Sequence, residues 1–128
     1  MKLLLDTHAL LWMSLDEPQL SENARDLIAD TDNELLLSPA SYWELAIKIS
    51  LGKYRLDESL DDFVNREVER NSLTLMAIEP KHAAQVARLP FHHRDPFDRM
   101  LIAQAISEQV SVLSKDVVFD KYGVRRLW

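Results

Sequence analysis

Lys2-Leu3-Leu4-Leu5-Asp6-Thr7 sets three consecutive leucines directly before a carboxylate. An unbroken aliphatic run suits a strand covered on both faces, as in a parallel sheet, better than one with a wet face. A carboxylate at the end of such a strand stands at the mouth of an α/β sheet, where these folds bind ligands. The same grammar recurs at Ser111-Val112-Leu113-Ser114-Lys115-Asp116. Short aliphatic runs at Lys2–Leu5, Glu34–Leu37, Leu73–Ile78, Val110–Leu113 and Val124–Leu127 are the expected strands. They alternate with helical patterns, which points to α/β architecture.

The expected helices have recognisable starts. Ser21 precedes Ala24, Leu27 and Ile28. Ser38-Pro39 supplies a cap and a first-turn proline for Ala40–Leu51, which Gly52 stops. Ser59 caps a segment with Leu60, Phe63, Val64 and Val68 on one face. Pro80 opens a short helix, and Asp95-Pro96 opens a long one through Gln109. On a helical wheel Asp98 falls in the stripe Leu101, Ile102, Ala105 and Ile106, with Arg99, Gln104, Ser107 and Glu108 opposite. Glu44 lies beside Ala40, Ile47 and Leu51. An acid on a buried face is costly unless it is paired, protonated or bound to metal.

Each of the four acids also has an ordinary explanation. Asp6 would cap a helix through Ala9, Leu10 and Leu11. Ser41-x-x-Glu44 matches a capping box, and Glu44 with Lys48 makes an i,i+4 pair. Asp116 would cap a short helix through Phe119 and Tyr122. Asp98 has the least ordinary account, because Asp95 already caps its helix. Two strand-end acids and two on inward faces together form the donor set of a divalent-metal site with hard oxygen ligands. Gathered carboxylates repel one another unless cations or protons neutralise them.

The 128 residues fit one domain spanning the whole chain, with 47% apolar and 28% charged residues, an ordinary globular composition. The chain has no cysteine, which excludes disulfides, thiolate zinc and a Cys nucleophile. The four histidines show no His-x-x-x-His spacing, so structural zinc is a poor fit. Only Gly52 and Gly123 are glycines, and no phosphate-binding glycine loop exists. Nothing resembles a signal peptide or a membrane span, so a cytoplasmic protein with no membrane partner is expected. A net charge of −6 argues against gripping nucleic acid by bulk electrostatics, though not against a nucleic-acid enzyme. Lys48, Lys53, Arg55, Arg94 and Arg99 are the cations available to phosphates.

Leu3-Leu4-Leu5-Asp6-Thr7-His8, Ser38-Pro39-Ala40-Ser41-Tyr42-Trp43-Glu44, Arg94-Asp95-Pro96-Phe97-Asp98-Arg99-Met100-Leu101-Ile102-Ala103-Gln104-Ala105 and Leu113-Ser114-Lys115-Asp116-Val117-Val118-Phe119 resemble a PIN domain. More narrowly, the chain is similar to a VapC-type toxin of a bacterial toxin–antitoxin pair. That resemblance implies a three-layer α/β/α fold around a parallel, five-stranded sheet. It implies a Mg2+- or Mn2+-dependent ribonuclease with Asp6, Glu44 and Asp98 as its acidic core and Asp116 at a fourth, more variable position. Thr7 and Ser114 match polar positions near the metal, and Asp95 is a further, secondary candidate. The implied partners are an RNA substrate, a cognate VapB-like antitoxin and a second copy of the chain. Ala40–Leu51 favours the last, since Trp43, Ile47 and Leu51 lie on one side and Tyr42, Leu45 and Ile49 on another.

Two other functions use similar acids. Haloacid-type phosphatases want Asp-x-Asp after the first strand, whereas Asp6-Thr7-His8 stands here. A receiver-like module wants an adjacent acid pair early and a lone strand-end lysine, a poor match to Lys115-Asp116. A PIN scaffold that has lost activity would not be expected to keep the acidic set.

Overall fold

The computed structural model describes residues 1–128. Its centre is a five-stranded sheet in the order β3-β2-β1-β4-β5, every pair parallel. The strands are β1 (Lys2–Leu5), β2 (Glu34–Leu37), β3 (Thr74–Leu75), β4 (Ser111–Leu113) and β5 (Arg126–Leu127). Helices α1 (Thr7–Ser14) and α2 (Glu22–Ala29) lie between β1 and β2; α3 (Pro39–Ser50) and α4 (Leu60–Arg70) follow β2. Next come α5 (Pro80–Arg88) and α6 (Pro96–Glu108) before β4, then a 3₁₀ helix at Val117–Tyr122. No helix is long and apolar enough to cross a membrane.

Alternation along the strands divides the core in two. Leu3, Leu5, Leu35, Leu37 and Leu113 face a cluster with Ala9, Leu10, Ala24, Leu45 and Phe63. Leu4, Leu36 and Val112 face the opposite cluster, with Leu101, Ile102, Ala105 and Phe119. Leu3, Leu4 and Leu5 are fully buried, each contributing roughly 1.5–3 kcal/mol of hydrophobic burial. A strand buried on both faces between two helical layers makes the three-layer α/β/α fold.

The edges depart from the expected strands. Leu73–Ile78 pairs only over Thr74–Leu75, both exposed at the sheet edge, and Val124–Leu127 pairs only over Arg126–Leu127. Aliphatic composition marks these segments as buried or half-buried, but pairing extends only as far as the neighbouring strand reaches. The wheel for α6 also needs correction: Arg99 and Gln104 are buried together with Leu101, Ile102, Ala103 and Ala105. The reason is cover on two sides, from the sheet and from α5, rather than one wet face. Gln104 reaches the carbonyls of Met76 and Ala77 beside the edge strand.

Terminal signals act as expected. Ser21, Ser38 and Ser59 accept the N–H of Ala24, Ala40 and Asp62, and Gly52 takes φ +71° just beyond α3. The end of α6 lacks such a glycine, so exposed Gln109 adopts φ 55°. A left-handed conformation costs a side-chain-bearing residue about 1–2 kcal/mol. Gln109→Gly should therefore raise stability by about 0.5–1 kcal/mol net of glycine's chain entropy, read from urea midpoints at unchanged m-value.

Candidate active site

Sheet order places the reversal of winding at β1: the chain passes to β2 on one side and returns as β4 on the other. Such a switch point opens a crevice beyond the carboxyl ends of the two strands. Asp6 leaves β1 and Ser114 leaves β4 at that crevice, joined by a backbone hydrogen bond from Asp6 N–H to the Leu113 carbonyl at 3.2 Å.

The buried Asp6 carboxylate is held at both oxygens. Oδ1 accepts the Ala9 N–H at 2.7 Å, capping α1, and Oδ2 accepts the Ser114 hydroxyl. Ser114 Oγ in turn accepts the Asp116 N–H at 3.0 Å. Exposed Asp116 caps the 3₁₀ helix through the Val118 N–H at 3.0 Å. From α3, buried Glu44 accepts the Thr7 hydroxyl at Oε1, 2.7 Å, and pairs at Oε2 with Lys48 Nζ, 2.8 Å. From α6, Asp95 accepts the N–H of Phe97 and Asp98 at 2.9 and 3.0 Å. Asp98, its side chain 20% exposed, has one side-chain neighbour within hydrogen-bonding reach, His93 Nε2 at 3.3 Å from Oδ2.

The electrostatics show these groups acting on one another. Burial first, then the charges of Asp95, Asp6, Glu44 and Asp116, push the Asp98 carboxyl up to about 8. Asp6 is also raised, chiefly by burial, against the opposing hydrogen bonds from Ser114 and Ala9 and the charge of His8. Asp6 has firm donors for its charge; Asp98 has almost none. All four acids thus reach one cleft, where Lys48 is the one cation paired with them and like charges oppose ionisation. Carboxylate and hydroxyl oxygens are hard ligands that fit Mg2+ or Mn2+. No three of the four bring an oxygen each within 4.8 Å of one another, a spacing that suits cations that keep several waters and few direct carboxylates.

The ordinary explanations hold as well: Asp6, Asp95 and Asp116 are caps, and Glu44 does pair with Lys48. A carboxylate has about four lone-pair positions, so a cap hydrogen bond leaves room for a second task. The capping box at Ser41 does not form, because Ser38 begins the helix; Ser41 Oγ is buried without a partner. His93 and Tyr122 carry no site motif in the sequence, yet His93 touches Asp98 and Tyr122 touches His93. The available signal was the place of His93 two residues before the Asp95 cap. A single trio does have ligand atoms within 4.8 Å, away from these acids: Glu79, His82 and Glu108. It lies ten residues from Asp98, about 15 Å along α6. His82 Nδ1 accepts the Glu79 N–H at 2.9 Å, so Nε2 carries the proton toward Glu108 at 2.8 Å. Lys81 contacts the same Glu108 oxygen. With both ring nitrogens committed, this group fastens α5 to α6 rather than awaiting a cation.

An all-parallel sheet with acids on both sides of its switch point defines a class, and the comparisons agree. Residues 3–124 match the family model of the PIN domain; the chain belongs to that family. Its fold is similar to VapBC2 from Rickettsia felis bound to a DNA fragment from their promoter, with TM-score 0.75, 16% identity, and 99% and 98% of the two chains covered. DNA-bound VapBC from Salmonella typhimurium matches at TM-score 0.71 and 18% identity, covering 99% and 97%. FitAcB from Neisseria gonorrhoeae matches at 0.68 and 18%, covering 98% and 96%. At such identities the likeness is one of fold. No curated protein matches the sequence.

Raised acids set the sign of a pH effect. Asp98 moves from its ordinary value of 3.8 to about 8 in the folded chain, so between those values the folded state binds the extra proton. Stability of the metal-free protein should therefore fall as pH rises from about 4 to about 8. Asp98→Asn should flatten that slope and melt at or above wild type in chelator at pH 8, yet gain far less from Mn2+. Thermal melts of both proteins at pH 5 and 8, with chelator and with Mn2+, check this. A slope of opposite sign in the wild type would overturn it.

Proposed function

We propose that the chain is a divalent-metal-dependent endoribonuclease of the VapC type, acting in the cytoplasm as the toxin of a toxin–antitoxin pair. The observation that supports it most is the coupling of Asp98 to Asp6, Glu44 and Asp116 across the switch-point crevice. Asp6, Glu44 and Asp98 would hold Mg2+ or Mn2+, with Asp116 at the rim. When bound, the ion supplies a water of lowered pKa and neutralises charge on the phosphodiester. Thr7 and Ser114 fix the Glu44 and Asp6 oxygens, so those carboxylates stay oriented when substrate arrives. Lys48 offsets the negative charge of Glu44, easing approach of a phosphate. Arg94, Lys53 and Arg55 are exposed cations. Arg99 is not available to phosphate: it is buried and bonded to the Pro90 carbonyl at 2.9 Å. Single-stranded or looped RNA is the substrate proposed, since its backbone can bend into a concave site.

The partner reading rests on fold likeness to VapBC and FitAB chains and on exposed apolar surface. Trp43 and Phe91 are 60% and 75% exposed and border a groove of about 560 Å3 between α3, α5 and the start of α6, with Ile78, Phe97 and Met100 in its lining. Monomeric proteins seldom leave such patches open. We assign this face to a homodimer, and neighbouring surface to a VapB-like antitoxin.

Asp98→Asn should keep the circular-dichroism spectrum and lose metal-dependent RNA cleavage by on the order of a hundredfold or more. Wild-type turnover of a sensitive RNA by purified Asp98→Asn in Mg2+ would overturn the site assignment. Phe91→Asp should shift a dimeric light-scattering mass to the monomer; an unshifted dimer would place the interface elsewhere.

A further inference from the structure

Asp98 is the least tethered of the four acids, and the one group touching its carboxylate is part of a longer chain of hydrogen bonds. Tyr122 Oη receives the His93 backbone N–H at 3.2 Å and Arg99 Nη1 at 3.3 Å. A phenol oxygen has two acceptor positions and one proton. With both positions taken, its O–H must donate, and His93 Nδ1 lies 2.7 Å away. Nδ1 therefore accepts, the ring proton resides on Nε2, and Nε2 faces Asp98 Oδ2 at 3.3 Å.

The far end of the chain is immobile. Arg99 is buried, bonded to the carbonyls of Pro90 and Val86 at 2.9 and 3.4 Å, with Phe91 stacked 4.1 Å from its guanidinium. Tyr122 ends the 3₁₀ helix that Asp116 caps, and His92 sets its ring edge-on to the Tyr122 ring at 4.9 Å. The chain thus links the segment of Asp116, the turn after α5 and the start of α6.

We propose that Arg99, Tyr122 and His93 form a positioning relay for Asp98: Tyr122 fixes the His93 tautomer, and His93 Nε2–H holds Oδ2 so that Oδ1 is the oxygen presented to a cation. The relay's role rests on the metal-dependent reading above. Hydrogen-bond partners behind a metal-binding side chain orient it, and their loss costs about 10–100-fold in metal affinity. Here the partner is a histidine that ligates nothing itself.

The test uses Tyr122→Phe, His93→Asn and His93→Gln in the full chain. In His93→Gln the amide nitrogen replaces Nε2 and keeps a donor for Asp98; in His93→Asn it reaches only the place of Nδ1. Nitrogen-15 NMR of the metal-free wild type should show His93 with its proton on Nε2, and Tyr122→Phe should lose that single tautomer. Mn2+ affinity by calorimetry should fall about tenfold or more in Tyr122→Phe and His93→Asn, and be largely restored in His93→Gln. A wild-type proton on Nδ1 would overturn the relay, as would His93→Asn binding Mn2+ as tightly as wild type. Absence of Mn2+ binding by the wild type would instead overturn the metal-dependent reading, and the tautomer, measured without metal, tells the two failures apart.

Discussion

Repulsion among carboxylates at the open end of a sheet buried on both faces is the constraint around which this molecule is arranged. Bringing Asp6, Glu44, Asp98 and Asp116 to one crevice opposes folding, because burial and like charge both disfavour ionised acids. The offset comes from the core on either side of β1. Leu3, Leu4 and Leu5 are fully covered, and β1 pairs along both edges, with β2 and with β4. A rigid centre of this kind can hold charged groups in place that a looser scaffold would let drift apart.

Parallel architecture supplies a further offset. Each helix that follows a strand starts at the sheet's carboxyl edge, so α1 and α3 direct their positive N-terminal ends toward the crevice, and the 3₁₀ helix after β4 begins there too. Asp6 and Asp116 hydrogen-bond to N–H groups at two of those starts, and for Asp6 the Ala9 N–H opposes the effect of burial. Asp98 sits within the first turn of α6, whose free N–H groups Asp95 already takes. Burial and the neighbouring charges therefore raise its proton affinity with little to oppose them. A cap and a crevice-facing acid are not alternatives here, since the same helix starts that need caps are the ones that surround the crevice.

The surroundings of the acids are unequal in what they contribute. Thr7, Ser114 and His93 each touch one carboxylate, while Lys48 brings a positive charge to Glu44 at the rim. Arg99, beside Asp98 in sequence, turns the opposite way and is spent on backbone carbonyls and Tyr122. Of the basic residues that charge alone offered to a phosphate, burial therefore removes one. Exposed apolar groups gather around Trp43 and Phe91 in a groove whose lining includes none of the four acids, so the crevice and the candidate association surface draw on different residues of one α3–α6 unit.

Local sequence determined a good deal: β1 and β2 from unbroken leucine runs, the starts of α2, α3, α4 and α6 from Ser and Asp caps with proline, and the stop of α3 from Gly52. Those features depend on neighbours within a turn or a strand, which is why they are legible in one dimension. Edge strands β3 and β5 were overlong in the sequence reading because pairing length is set by the adjacent strand. Arg99 and Gln104 looked exposed because a wheel sees one helix, whereas α5 and the sheet enclose α6 from two sides. The four acids were recognisable from their places at strand ends and on inward faces, together with family likeness. Their mutual effect on Asp98, and the path from Arg99 through Tyr122 and His93 to its carboxylate, exist only in three dimensions. The hydrogen bonds of that path join residues up to 29 positions apart, and whether a hydroxyl donates or accepts depends on every neighbour it meets at once.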